Sequence, residues 1–210
     1  MIRRHPSAEL LSDYARGALS NGPALIVACH VSGCTVCRSE AGLWESAAGA
    51  MLESVEPVAL GEGALAKTLA RLDEKEARDT PRRPGFMQRY DVPAPLARHR
   101  IGARRWATPN IWFAPVESLP LTYLVFARRN TMLSLHTHGG LEFTHVLDGA
   151  FADSTGRFDA GDFAQTDETI EHAPRAMTEG GCLCLISSEV PMRLKHRPAR
   201  LLQSLFGMQY

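Results

Sequence analysis

Through the first eighty residues apolar positions recur at helical spacing, and from about residue 96 the spacing changes to that of strands. Leu10, Leu11, Tyr14 and Ala18 stand at i, i+1, i+4 and i+8 behind Ser7, a capping residue, and predict a short helix over 7–19. Asn21-Gly22-Pro23 reads as a turn, and residues 23–31 as an apolar helical segment ending at His30. A third helix is expected from Cys34 to about Ser54, with Leu43, Ala47, Ala50 and Met51 on its apolar face and Pro57 barring continuation. Over 62–78, Leu65, Leu69 and Leu72 make a narrow apolar stripe on a helix that is otherwise charged. Such a stripe suits packing back on its own domain or docking on a partner.

Pro81, Pro84, Pro93 and Pro95, set among Arg, Asp and Gly, mark 81–95 as a stiff linker. Beyond it lie β-rich runs such as Leu121–Phe126 and Cys182–Ile186, with turns at Gly139-Gly140, Asp148-Gly149, Asp153 to Gly156 and Ala160-Gly161-Asp162. Short strands between regular turns predict an all-β sandwich or barrel. A small helix is expected over 199–207. The chain therefore reads as multidomain α + β, with helical residues 1–80, the linker, and a β domain over 96–210.

Composition narrows the function. Lys plus Arg and Asp plus Glu both number 23, so no basic excess favours nucleic acid. No apolar run approaches the ~20 residues of a membrane span, and Met1 to Pro6 lead into no apolar run of signal-peptide type. The five cysteines (29, 34, 37, 182 and 184) are an odd number, which fits a reducing compartment and metal or redox roles better than a disulfide framework. A cytoplasmic protein is expected.

Candidate chemistry falls in two clusters. His30, Cys34 and Cys37 are spaced His-x3-Cys-x2-Cys, three donors for one tetrahedral zinc. Two fourth donors are on offer. Cys29 is adjacent to His30, and helix neighbours point about 100° apart, which makes a shared ion awkward. His5 precedes the first helix and can fold back, so His5 is preferred. The resulting His2Cys2 shell is closed, hence structural, and gives three short helices a staple that their small core needs. Ala24 to Val36 contain no Lys or Arg, which disfavours a nucleic-acid-binding finger.

The second cluster is His136, His138, Glu142 and His172. On a strand, His136 and His138 project from one face, and Glu142 and a distant His172 can converge with them inside a barrel. Three imidazoles and a carboxylate suit zinc, iron, manganese or nickel. His145 is out of phase with these donors and reads as a non-ligand. Cys182 and Cys184 share one face of a late strand, as small buried side chains or as possible redox groups near the metal.

The first cluster, within short helices, resembles the zinc-binding anti-sigma domain, a match spanning 1–78. The resemblance implies His5, His30, Cys34 and Cys37 as zinc ligands. It further implies a fourth helix, here 62–78 with Leu65, Leu69 and Leu72, that helps clamp a sigma factor away from core RNA polymerase. The second cluster resembles the two cupin motifs over roughly 100–190. His136, His138, Glu142 and Gly149 match the first motif, and Gly161 and His172 match the second. Asp167 and Thr169 replace the usual Pro and Gly, and Ala176 the usual Asn. Together the halves look like ChrR-type anti-sigma factors. That implies a cupin, a double-stranded β-helix or jelly-roll barrel, that senses singlet oxygen or related oxidative stress through zinc or another divalent metal. It also implies a non-enzymatic regulator that holds an extracytoplasmic-function sigma factor as a heterodimer, with no direct nucleic-acid or membrane binding. The competing readings are a metal-dependent cupin dioxygenase and a small-ligand-binding regulator without redox chemistry.

Overall fold

The structure is a computed structural model and describes residues 2–72 and 81–191, with the backbone of 193–194. Four helices come first: α1 (Ala8–Ala15), α2 (Asn21–Gly33), α3 (Thr35–Glu53) and α4 (Ala64–Leu72). Ser7 caps α1 by accepting from the Leu10 N–H at 3.1 Å. The expected turn over 21–23 is instead the first turn of α2. Proline is tolerated there because an N–H in the first turn lacks an intrahelical partner anyway. α2 is apolar on nearly every side, as a helix enclosed on all sides must be, and buries Leu25, Ile26, Val27, Cys29 and His30.

A 3-10 turn (Gly85–Met87) and a one-turn helix α5 (Ala94–Ala97) occupy the stretch expected as linker and its end. Met87, Tyr90 and Leu96 from this region are buried in the main core. The described strands follow as β1 (Arg105–Thr108), β2 (Ile111–Pro115), β3 (Thr122–Ala127), β4 (His136–Thr137), β5 (Glu142–Asp148), β6 (Ala150–Asp153), β7 (Gly156–Asp159), β8 (Phe163–Thr166), β9 (Glu171–His172), β10 (Arg175–Ala176), β11 (Cys182–Ser188) and β12 (Arg193–Leu194). They form a six-stranded sheet, β1-β2-β3-β11-β5-β8, and two three-stranded sheets, β10-β6-β7 and β12-β4-β9.

The central strands β3, β11 and β5 are covered on both faces. Inward, Val125, Cys184 and Thr144 line a cavity between the layers. Outward, Leu124, Leu183, Leu185, Phe143 and Phe163 share one core with Leu10, Leu11, Leu25 and Ile26 of the helices. Burial on both faces explains why 121–126 and 182–186 lack polar alternation. Gly22 lets α2 lie close on the sheet: a Cβ there would come within 2.7 Å of Thr122 Oγ1 and closer still to Ser187 Oγ.

The far half of α3 and α4 bury little. Leu43 and Met51, expected on an apolar face, are 71% and 74% exposed, and α4 buries no residue. Among the described residues no helix is long and apolar enough to cross a membrane. The expected helix over 199–207, and residues 73–78 of the fourth helix, lie outside the described residues.

Two candidate metal centres

The first centre forms where α2 meets α3. His30 sits in the last turn of α2, Cys34 at the break between the helices, and Cys37 in the first turn of α3. The break at Cys34, with φ −107° and ψ 110°, turns its thiol toward the other two donors. His5 arrives from the extended lead. Its Nδ1 lies 3.4 Å from Cys34 Sγ and 3.3 Å from Cys37 Sγ, and His30 Nε2 lies 3.3 Å from Cys37 Sγ. All four donor atoms fall within 4.8 Å of one another. Tetrahedral zinc with Zn–N of about 2.0–2.1 Å and Zn–S of about 2.3 Å sets N–S edges near 3.5 Å, so the donors fit such an ion. Cys29 stands outside the cluster. Its thiol, buried on α2, is pushed up to about 12 by burial.

Burial also pushes the Cys37 thiol up to about 12 and the His30 imidazole down to about 4. Without a cation the Cys37 thiol and the His30 imidazole are both neutral. Cys34 and Cys37 would hold a divalent ion as thiolates, giving up their protons to solvent on binding.

The second centre lies inside the barrel. Register pairs His136 of β4 directly with His172 of β9, which sets both rings on one inner face. His138 follows two residues after His136, and Glu142 opens β5. His136 Nε2 and His138 Nε2 each lie 3.1 Å from His172 Nε2, and His138 Nδ1 lies 3.4 Å from Glu142 Oε2. All four residues are buried, at 2–5% exposure.

The hydrogen bonds around the rings fix what they offer. His136 Nδ1 donates to the Ser134 carbonyl at 2.8 Å, and His172 Nδ1 donates to Asp153 Oδ2 at 2.7 Å. With Nδ1 of each ring committed as a donor, the two Nε2 atoms face each other 3.1 Å apart. A cation bonded to both nitrogens would satisfy that arrangement. His138 Nδ1 is buried with no hydrogen-bond partner. Burial lowers His136 and His138 to about 4 and raises Glu142 to about 7. Ser188 opposes part of that rise by donating to Glu142 Oε2 at 2.9 Å. Three nitrogens and one carboxylate admit several divalent ions.

A cavity of about 80 Å³ adjoins His136, Glu142 and His172, walled by Val125, Leu133, Phe151 and Ile186. Cys182 and Cys184 also line it, with sulfurs 3.6 Å apart. The Cys184 thiol is held well above its ordinary range by its contact with Cys182 and by burial, which keeps it protonated. His145 points away from this cavity, toward the helices, where its ring meets His30 edge-on at 5.6 Å. Leu65, Leu69 and Leu72 are 70%, 52% and 75% exposed.

The local pattern did not single out Asp153, Ser188 or Asp162. Both aspartates read as turn formers, which they are, since Asp153 Oδ1 accepts from Thr155 N at 2.8 Å and Asp162 Oδ2 from Asp159 N at 2.9 Å. Their second partners are remote in sequence, and no signal in the chain marks them.

Residues 105–190 match the family described as the ChrR Cupin-like domain. Over 213 residues the chain is 38% identical to Anti-sigma-E factor ChrR of Cereibacter sphaeroides, covering 98% of each. It also superposes on a chain in the crystal structure of Rhodobacter sphaeroides SigE in complex with the anti-sigma ChrR. The TM-score is 0.73 at 34% identity, covering 90% of this chain and 100% of that one.

Proposed function

The chain belongs to the ChrR family of anti-sigma factors, and from that premise we propose that it binds and inhibits an extracytoplasmic-function sigma factor and releases it under oxidative stress. The observation that carries the reading is the whole-length likeness to an anti-sigma factor, including one solved with its sigma factor. Membership of a regulator family also sets the dioxygenase reading aside.

In this reading residues 1–80 are the inhibitory domain, 81–95 the connection and 96–210 the sensor. Zinc held by His5, His30, Cys34 and Cys37 staples the helices. The sigma factor covers apolar side chains that the chain leaves in water: Leu43, Met51 and Leu52 of α3 and Leu65, Leu69 and Leu72 of α4. Large apolar side chains left in water on two successive helices mark a partner site. The partner acts on RNA polymerase, which places the protein in the cytoplasm.

His136, His138, Glu142 and His172 hold the barrel ion. When bound, that ion fixes three imidazoles and a carboxylate in one arrangement. Glu142 is the donor most able to change, because a carboxylate can bind through one oxygen or two, and Ser188 already engages one of them. Singlet oxygen or a related oxidant reaching the cavity meets the imidazoles of His136 and His172 and the thiols of Cys182 and Cys184. A shift of Glu142 moves β5, whose opposite face carries His145 against His30.

The test is co-expression with an extracytoplasmic-function sigma factor from the same genome. The proposal predicts a one-to-one complex that blocks transcription by core polymerase and loosens on exposure to singlet oxygen. A Glu142→Ala variant should keep the complex and lose the response. Absence of any complex would overturn the function, and an intact response in Glu142→Ala would overturn the sensor assignment.

A further inference from the structure

Both imidazoles of the helical centre are held by the barrel. His30 Nδ1 donates to the Gly161 carbonyl at 3.0 Å, across 131 residues of sequence. That bond leaves Nε2 with its lone pair aimed at Cys37. His5 lies on a lead with no secondary structure of its own, and the same barrel turn fixes that lead. Arg3 N and Arg4 N donate to Asp162 Oδ1 at 2.7 and 3.1 Å, and Phe163 N donates to the Arg4 carbonyl at 3.0 Å. Asp162 is 1% exposed, and its other oxygen accepts from Asp159 N at 2.9 Å. One buried carboxylate therefore shapes the turn and anchors the lead.

The packing around this contact is close. Gly161 has φ +93°, and a Cβ there would come within 2.8 Å of Ile2 Cγ1. A Cβ on Gly156 would come within 2.7 Å of the Arg4 guanidinium, which lies over the Phe158 ring at 5.3 Å. The rings of His145 and Phe163 meet His30 edge-on at 5.6 and 5.8 Å.

We propose that the barrel turn 159–163 is part of the helical metal centre, with Asp162 as its positioning residue. The proposal rests on the reading of His5, His30, Cys34 and Cys37 as a metal site. Partners that orient a ligating imidazole set metal affinity almost as strongly as the ligands, typically by 10–100-fold. Here the turn orients one imidazole directly and confines the other by anchoring its lead. Freed from Asp162, the lead keeps only the Phe163 N–H bond to the Arg4 carbonyl and the side-chain contacts of Ile2 and Arg4 with the barrel, and His5 loses local concentration at the thiolates. A turn that merely packed against the helices would add stability to the fold and leave metal affinity unchanged.

Cobalt separates the two cases in the full-length protein. A sulfur-to-cobalt charge-transfer band reports the helical centre, since the barrel donors are nitrogen and oxygen. Chelator competition then gives the affinity of each centre. Two variants are compared with the wild type: Asp162→Asn, and the double change Arg3→Pro with Arg4→Pro. The second removes both lead N–H donors and leaves the barrel sequence untouched. The expected result in each is about a 10–100-fold weaker thiolate site with unchanged affinity at the barrel centre. Should Asp162→Asn fail to fold, the proline variant decides alone. Wild-type affinity for cobalt at the thiolate site of the proline variant overturns the proposal. Absence of the thiolate band in the wild type overturns the metal reading beneath it.

Discussion

Glu142 and His145 lie three residues apart on β5 and face opposite sides of the same strand. Glu142 stands among the barrel donors, 3.4 Å from His138 Nδ1, while the His145 ring meets His30 of the helical cluster edge-on at 5.6 Å. β11 is divided the same way, with Cys184 toward the cavity and Leu185 toward the helices. The two candidate centres share a wall, of which β5 and β11 are part.

Asp153→Asn should weaken metal binding at the barrel centre by about 10–100-fold, because the Asp153 carboxylate holds the His172 tautomer and orientation. Competition with a calibrated chelator measures it. Unchanged affinity would show that the ring needs no such support.

Leu65→Ser, Leu69→Ser and Leu72→Ser should each change folding stability by no more than about 0.5 kcal/mol, since all three side chains lie mostly in water. At least one should weaken the sigma complex by about 2 kcal/mol, as a central interface residue does. Calorimetric titration of the triple variant with wild-type affinity would remove α4 from the interface.

Gly22→Ala should destabilise the fold by about 1–3 kcal/mol, because the added methyl group drives into Thr122 Oγ1 and Ser187 Oγ. Urea unfolding gives the value. An unchanged midpoint would mean that α2 can lift from the sheet at little cost.

Acid should destabilise the chelated protein. Burial lowers His30, His136, His138 and His145 from 6.5 to about 4, so in this window the unfolded chain takes up protons that the folded one refuses. Stability is therefore lost as pH falls from 6.5 toward 4. Glu142, raised from 4.5 to about 7, acts the other way, because the folded state keeps a proton that the unfolded chain gives up. Four imidazoles against one carboxyl leave a slope on the order of 4 kcal/mol per pH unit at most. Urea midpoints in excess chelator at pH 7 and pH 5 test the sign, and a higher midpoint at pH 5 would contradict it.

What the sequence made legible was set by short-range geometry. Cys34 and Cys37 are one helical turn apart, and His136 and His138 are one strand repeat apart, so spacing alone suggests that each pair shares a target. The first turn of α2 differs from the expected reverse turn because Asn21-Gly22-Pro23 suits both a turn and a helix start, and the deciding fact is the sheet beneath Gly22. Asp153 and Asp162 escaped because their local role is complete without the second one. Asp162 meets Arg3 across 159 residues, a contact that no local pattern announces. The alternation that excludes His145 from the barrel donors holds, yet its position against His30 follows only from where α2 docks.

The central claim is that a metal-stapled helical domain holds a sigma factor. Its most direct test is to replace Cys34 and Cys37 together by serine and titrate the full-length variant with the sigma factor. The account predicts loss of about one metal equivalent and of measurable binding, with the barrel still folded and metal-loaded. Undiminished binding by the serine variant would contradict it.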